Sequence, residues 1–257
     1  MLEAVSRIAA EAGRIAAARC GDGFRRWEKA PGQPVCDIDL EVDQFLRGQL
    51  EALDPEAGWF SEETIDVPER VDRNRLWVVD PIDGTRDYLR QRSGWCVSVA
   101  LVENGAPVIG VLDAPARAEH WTAETGKGAW CNGKPLRVSG RTSLSGARVP
   151  ADHLTGVDGD LVLVKKPNSI ALRIALVAAG EADLVATLRW GFEWDIAAAA
   201  LIAAEAGAIV TGALGQPLEF NTISGEAFGV LVATPAIHVA AVERLRERAL
   251  SLVDKRT

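Results

Sequence analysis

The sequence predicts an α/β protein in two parts. Residues 1–140 read as an α+β lobe in which two helices pack on a mainly antiparallel sheet, and residues 141–257 as a smaller mixed α/β lobe. Three observations predict it: apolar residues recur at helical spacing twice within the first 53 positions, short β-rich runs punctuated by Gly, Asn or Pro turns fill 76–133, and beyond Ser139 strand and helix patterns alternate.

In order along the chain, Val5, Ile8, Ala9, Ala12, Ile15 and Ala16 share one face of a helix over 2–19, with Gly21 placed to end it. A second helix begins near Asp39, carries Leu40, Phe45, Leu46, Leu50 and Leu53, and stops at Asp54-Pro55. A short apolar strand over 76–79 leads into Asp80-Pro81. Strands follow at 95–102, 108–112 and 120–123, and Asn132-Gly133 is a hairpin signal. The most loop-like stretch, 139–150, is the candidate boundary between lobes. Beyond it come a strand over 161–164, a helix over 169–179 closed by Gly180, a strand over 183–187, and a helix over 195–206 closed by Gly207. Strands at 208–211 and 228–233 precede a last helix with Thr234 as N-cap and Pro235 at its first position.

A chain of 257 residues can bury a sizeable core as one large domain or two packed lobes. The net charge of −8 has the wrong sign for binding a nucleic acid polymer or an anionic membrane, so any phosphate must be met locally. Four cysteines without a C-x-x-C pair argue against a zinc knuckle or a redox dithiol, and fit reduced thiols in a cytoplasm. Charged residues interrupt the first 20 positions, which therefore lack the apolar core of a signal peptide.

The informative segment is Leu76-Trp77-Val78-Val79-Asp80-Pro81-Ile82-Asp83-Gly84-Thr85. A buried strand delivers Asp80 to its end, Pro81 sets a turn, and the three-residue spacing returns Asp83 to the same side. Gly84 lets backbone approach a ligand, and free amides of a helix starting there, with the Thr85 hydroxyl, suit an anion. Glu62-Glu63 lies upstream and Asp195, after Trp194, downstream. Singly these acids read as caps, turns and solvated charges. Together, carboxylates at several element ends with no His or Cys among them supply hard oxygen ligands suited to Mg²⁺, and such an arrangement implies phosphate ester hydrolysis.

In these residues the sequence resembles the inositol monophosphatase superfamily of magnesium-dependent, lithium-sensitive phosphomonoesterases. Glu62-Glu63, the segment from Asp80 to Thr85, Gly126-Lys127-Gly128-Ala129-Trp130-Cys131-Asn132-Gly133 and Trp194-Asp195-Ile196-Ala197-Ala198 occur in that family's order. The resemblance implies a layered αβαβα sandwich, a homodimer, and two or three Mg²⁺ per site. It implies one metal on Glu62, Asp80 and the Ile82 carbonyl, and another on Asp80, Asp83 and Asp195. Thr85 and Asp39 would orient and deprotonate the attacking water, with Glu62 nearby, and Asp83, Gly84, Thr85, Arg189 and Asp195 would contact a small phosphorylated metabolite.

One departure bears on the substrate. The acidic hydroxyl acceptor expected seven positions before Asp195 is Leu188, followed by Arg189, and the only acid in the stretch is Glu193. The segment 169–183 resembles the bacterial 3′(2′),5′-bisphosphate nucleotidase branch, which implies adenosine 3′,5′-bisphosphate as substrate, with Arg189, Lys165, Lys166 and Lys29 available to a second phosphate. Alternatives are an inositol-1-phosphate phosphatase and a catalytically inactive scaffold of the same fold. Asp37-Ile38-Asp39 fits neither a calcium loop, because Val42 stands where Gly is needed, nor an aspartyl-phosphate nucleophile, because too short a strand precedes it. Gly126-Lys127-Gly128 does not continue as a dinucleotide motif. The three histidines read as surface or core filler and the eight tryptophans as core contacts.

Overall fold

A computed structural model describes residues 1–21, 23–30 and 33–253. Helix α1 (Leu2–Arg19) has the predicted bounds, and α2 (Asp37–Leu53) starts two residues before the expected Asp39. Between them lies an antiparallel hairpin that sequence reading did not anticipate, β1 (Arg26–Ala30) and β2 (Gln33–Cys36). Both helices lay their apolar faces, led by Val5, Ala9, Ala12, Ile38, Val42 and Leu46, on one side of a seven-stranded sheet.

That sheet runs in sequence order: β3 (Gly58–Ser61), β4 (Arg75–Asp83), β5 (Cys96–Glu103), β6 (Ala106–Ala114), β7 (Glu119–Glu124), β8 (Ala129–Cys131) and β9 (Lys134–Pro135). Every pairing is antiparallel except β3 with β4. Alternation along β4 sends Trp77 and Val79 to the helical face and Leu76 and Val78 to the other. Residues 136–147 carry no helix or strand, after which β10 (Arg148–Val149) and β11 (Val162–Leu163) pair in parallel.

The second face of the sheet is covered by α4 (Ile170–Ala178) and α5 (Ala197–Glu205). Apolar on nearly every side, these two short helices can only be sandwiched. Their outer side meets a smaller layer drawn from β12 (Leu184–Ala186), β13 (Trp190–Phe192), β14 (Ile209–Thr211), β15 (Glu226–Phe228) and β16 (Leu231–Ala233). The order β12-β16-β14 places the last strand, antiparallel, between two strands that run parallel to each other. The strand and helix alternation alone points to a parallel sheet, so this insertion is what the pattern does not reveal. Leu231, Ala233 and Leu184 then pack on α6 (Pro235–Val253) through Ile237 and Ala241.

The layers are therefore α1 and α2, the large sheet, α4 and α5, the small sheet, and α6, the expected αβαβα sandwich. One core cluster draws residues from both sides of position 140, with Val78, Ala100 and Leu112 meeting Ile174, Ala198 and Ile202. Trp59, Trp77, Trp95 and Trp121 are buried in the cores as expected, but Trp27, Trp130 and Trp190 are exposed, which corrects the reading of all eight as core contacts. Among the described residues no helix is long and apolar enough to cross a membrane.

Candidate functional site

The strand β4 does not end in a turn at Pro81, as the sequence suggested, but continues to Asp83. Its register against β5 shifts between Asp80, opposite Ser98, and Asp83, opposite Cys96. Pro81 and Ile82 thus oppose the single residue Val97, a bulge that tolerates a proline with no N–H to give the ladder and that re-aims its side chains. Asp80 Oδ1 accepts from the Ile82 amide at 3.0 Å within it. Gly84 follows at φ 96°, where a Cβ would lie 2.6 Å from the Gly94 carbonyl oxygen and 2.9 Å from the Ser169 amide nitrogen. The close approach that glycine permits here is to neighbouring backbone. A one-turn helix, α3 (Thr85–Leu89), then starts at Thr85.

Asp195 comes from the other side of the sandwich. Instead of capping α5, it ends a 3₁₀ turn over Glu193–Asp195 and accepts from the Phe192 amide at 3.4 Å, while Ile196 occupies the N-cap. Trp194 beside it is held by Phe192 (ring centroids 4.3 Å, stacked) and Phe60 (4.7 Å). One oxygen from each of Asp80, Asp83 and Asp195 lies within 4.8 Å of the others.

Asp83 is tied to the N-terminus of α4. Its Oδ2 accepts from the Ala171 amide at 2.8 Å and from the Ser169 hydroxyl, whose own oxygen caps the helix by accepting from Leu172. Asp39 is the N3 residue of α2, where its Oδ2 accepts from the Cys36 amide at 2.8 Å. Its other oxygen lies 3.3 Å from the Thr85 hydroxyl, which is also 3.0 Å from the Ile82 carbonyl. Capping the helix and reaching Thr85, which lines the cleft, are thus one placement.

Electrostatics mark the same point. Burial pushes Asp80 well above the usual carboxylate range, with Glu62, Asp83 and Asp195 adding repulsion. Burial, then the charges of Asp83 and Glu62, push Asp195 up to about 8. Asp83 rises to about 6, since its hydrogen bonds offset part of the burial cost, and Asp39 to about 6 for the same reasons. Among the described residues no Lys or Arg forms an ion pair with Asp80, Asp83 or Asp195. Buried, mutually repelling aspartate oxygens fit a divalent cation, which would relieve both costs.

Around this trio runs a cleft of about 580 Å³ whose walls include Glu62, Ile82, Gly84 and Thr85, with Lys29, Arg86, Lys166, Arg173 and Arg189 as cations. Glu62 stands outside the tight trio, 3.5 Å from Lys29 Nζ. The more deeply buried Glu63 also meets Lys29, whose hydrogen bond and charge offset part of the burial that pushes Glu63 up to about 7. Lys29 is therefore engaged by the acid pair, and Lys165 lines a neighbouring pocket. Leu188 packs with Ala213, Phe228 and Ala249, and Arg189 is the residue of that pair that lines the cleft. Glu193 is fully buried and accepts from the Asn221 and Thr222 amides at 2.6 and 2.9 Å, so it clamps a loop and does not line the cleft.

Sequence reasoning missed Ser169, Arg173 and Arg86. A serine before an apolar helix signals a cap, but nothing local reveals that it also meets an aspartate 86 residues away. His120 also exceeds its expected role as filler: Nε2 lies 2.7 Å from Ser6 Oγ and Nδ1 2.7 Å from Asp113 Oδ1, joining α1 to the sheet.

The family model for the inositol monophosphatase family matches residues 1–257. A fructose-1,6-bisphosphatase/inositol-1-monophosphatase of Thermotoga maritima is 35% identical over 198 residues, 74% of this chain and 75% of that protein. The 3′(2′),5′-bisphosphate nucleotidase CysQ of Escherichia coli is 31% identical over 237 residues, 86% of this chain and 94% of that one. The crystal structure of the extragenic suppressor protein suhB from Bartonella henselae superposes with a TM-score of 0.82 at 28% identity, covering 95% of this chain and 98% of that one. With the full length matched and the acidic cleft assembled as the motifs imply, the chain belongs to the inositol monophosphatase family, a family of phosphatases.

Proposed function

We propose that this protein is a Mg²⁺-dependent phosphomonoesterase acting on a small phosphorylated metabolite, with the 3′-phosphate of adenosine 3′,5′-bisphosphate as the preferred group. The observation that carries the reading is the convergence, within 4.8 Å, of one oxygen each from the buried Asp80 and Asp83 and the half-buried Asp195, beside the Thr85 and Asp39 pair. Asp80, Asp83 and Asp195, with Glu62 and the Ile82 carbonyl, would hold two or three ions, which supply a Lewis acid for the phosphoryl oxygens and a lowered pKa for the attacking water.

The chain's own residues do the rest. The Thr85 hydroxyl, between the Ile82 carbonyl and Asp39, can take a proton from water while passing its own to the carboxylate. Asp39, pushed up to about 6, is matched to that task near neutral pH. Arg173 and Arg189 share a wall of the cleft with the aspartates, where guanidinium groups can hold phosphate oxygens in paired hydrogen bonds. The deep aspartates lie on rigid element ends, so the site needs little rearrangement to be productive.

The test is phosphate release from adenosine 3′,5′-bisphosphate, inositol 1-phosphate and fructose 1,6-bisphosphate with Mg²⁺. Inositol 1-phosphate is the second reading, favoured by the relative so named, and a higher kcat/KM for it would replace the nucleotide. Full activity in EDTA, or activity unaffected by millimolar Ca²⁺, would contradict the magnesium mechanism, since calcium prefers looser geometry and more ligands. The homodimer that the resemblance implies belongs to the same reading, and sedimentation of the purified protein checks it.

A further inference from the structure

We propose that a second anionic group of the substrate, a phosphate on the same molecule as the one hydrolysed, is held in a basic pocket continuous with the catalytic cleft. It is lined by Arg86, Arg90, Arg92, Arg117, Lys165 and Lys166. The proposal rests on the phosphatase reading and adds the part of the molecule that selects among phosphate esters.

The pocket, about 630 Å³, shares Arg86, Lys166 and Asn168 with the cleft that contains the three aspartates. A ligand can therefore occupy both without leaving the protein surface. In a chain of net charge −8, six cations face only two carboxylates on this wall, Asp87 and Asp152. Asp152 is spent on Lys166, and Asp87 stands 4.0 Å from Arg92, while Arg117 pairs with Glu119 from outside the pocket. Among the described residues Arg90 and Lys165 form no ion pair, and both are exposed.

The local sequence concentrates like charge. Arg86 lies in the one-turn helix α3. Arg90 follows four residues later, the spacing at which like charges repel, and Arg92 two residues after that. Such a concentration of like charge suits an anion.

The pocket is also held in shape. Asp87 Oδ2 accepts from the Asn168 amide at 3.3 Å, and the Ser169 amide donates to the Gly94 carbonyl at 2.8 Å, joining its two walls. A Cβ at position 94 would lie 2.0 Å from Asp87 Oδ2, so the glycine is what lets them meet. Arg173 adds a hydrogen bond of 2.9 Å to the Pro167 carbonyl behind the same loop. Arg173 and Arg189 instead line the cleft that holds the aspartates and do not line this pocket. That division assigns them to the phosphate that reacts and the arginine pocket to the phosphate that does not.

The experiment compares adenosine 3′,5′-bisphosphate with adenosine 3′-monophosphate, which differ only in the second phosphate. The wild-type protein should favour the bisphosphate by roughly ten- to a hundredfold in kcat/KM. Arg90→Ala with Arg92→Ala should raise KM for the bisphosphate by a similar factor, leaving its kcat and both constants for the monophosphate unchanged. Lys165→Ala, on the facing wall, should show the same selective loss more weakly, and Arg189→Ala should lower both substrates together. Turnover of both substrates with no preference, or variants that depress both equally, would overturn the pocket while leaving the phosphatase reading intact. Release of phosphate from neither would overturn that reading and the proposal with it.

Discussion

Asp83 accepts from the N-terminus of α4, most closely through Oδ2 and at 3.4 Å through Oδ1, and contributes to the acidic trio, so one residue links helix placement to chemistry. Replacing it by Asn keeps an acceptor for Ala171 and Ser169 but removes the negative charge. Asp83→Asn and Asp195→Asn should each lower kcat by on the order of a hundredfold or more with unchanged circular dichroism. Wild-type turnover in either folded variant would sink the assignment of the trio. At this scale the sequence was informative where a residue's local motif and its role coincide, as at Asp80, Asp83, Thr85 and Asp195. It misled where a side chain's direction decides: Leu188 occupies the acceptor position by spacing, yet packs with Phe228, while Glu193, the only acid nearby, is consumed by Asn221 and Thr222. Leu188 lies between β12 and β13 and Glu193 in a 3₁₀ turn, so their directions follow from tertiary packing that local sequence does not encode.

Among the elements, α5 owes its close approach to the large sheet to small residues on both sides. A Cβ on Gly110 of β6 would lie 2.6 Å from the Ala198 carbonyl oxygen, a backbone atom that cannot rotate away. Gly110→Ala should therefore force the helix outward and destabilise the protein by about 1–3 kcal/mol, read as a lower urea midpoint with unchanged slope. Because α5 follows directly on Asp195, activity should fall as well, and a variant as stable and active as wild type would show that the layer tolerates the shift. Helices were the most legible elements: α1, α4 and α6 follow their apolar periodicity, caps and terminating glycines to within a residue or two. The β1 and β2 hairpin and β3 were not, because β1 is short, polar and solvent-facing, and the apolar pair Trp59-Phe60 in β3 is too short to show a period. The bulge in β4 was hidden too, since Asp-Pro signals a turn equally well.

For the whole molecule, the sandwich closes its layers around a cluster of like charges, so stability and metal binding should be coupled. A carboxyl whose folded pKa exceeds its unfolded value near 3.8 stabilises the fold at low pH and loses that contribution as pH rises through the folded pKa. Asp83 and Asp195, pushed up to about 6 and about 8, place the loss between pH 4 and 8 in metal-free protein. A bound divalent cation reverses the sign, because it favours the ionised form, and its advantage grows over the same window. At Mg²⁺ about a hundredfold above its Kd, one site adds about 2.7 kcal/mol, or roughly 5–10 °C in Tm for a chain of this size. Calorimetry with EDTA and with Mg²⁺ from pH 5 to 8 should thus show the two Tm curves diverging as pH rises. Asp195→Asn removes the group with the higher of the two elevated values, so it should flatten the metal-free curve and shrink the Mg²⁺ increment together. Parallel curves, or no increment at millimolar Mg²⁺, would favour an inactive scaffold, but such a protein would have to bear the repulsion of its buried aspartates without the cation that relieves it.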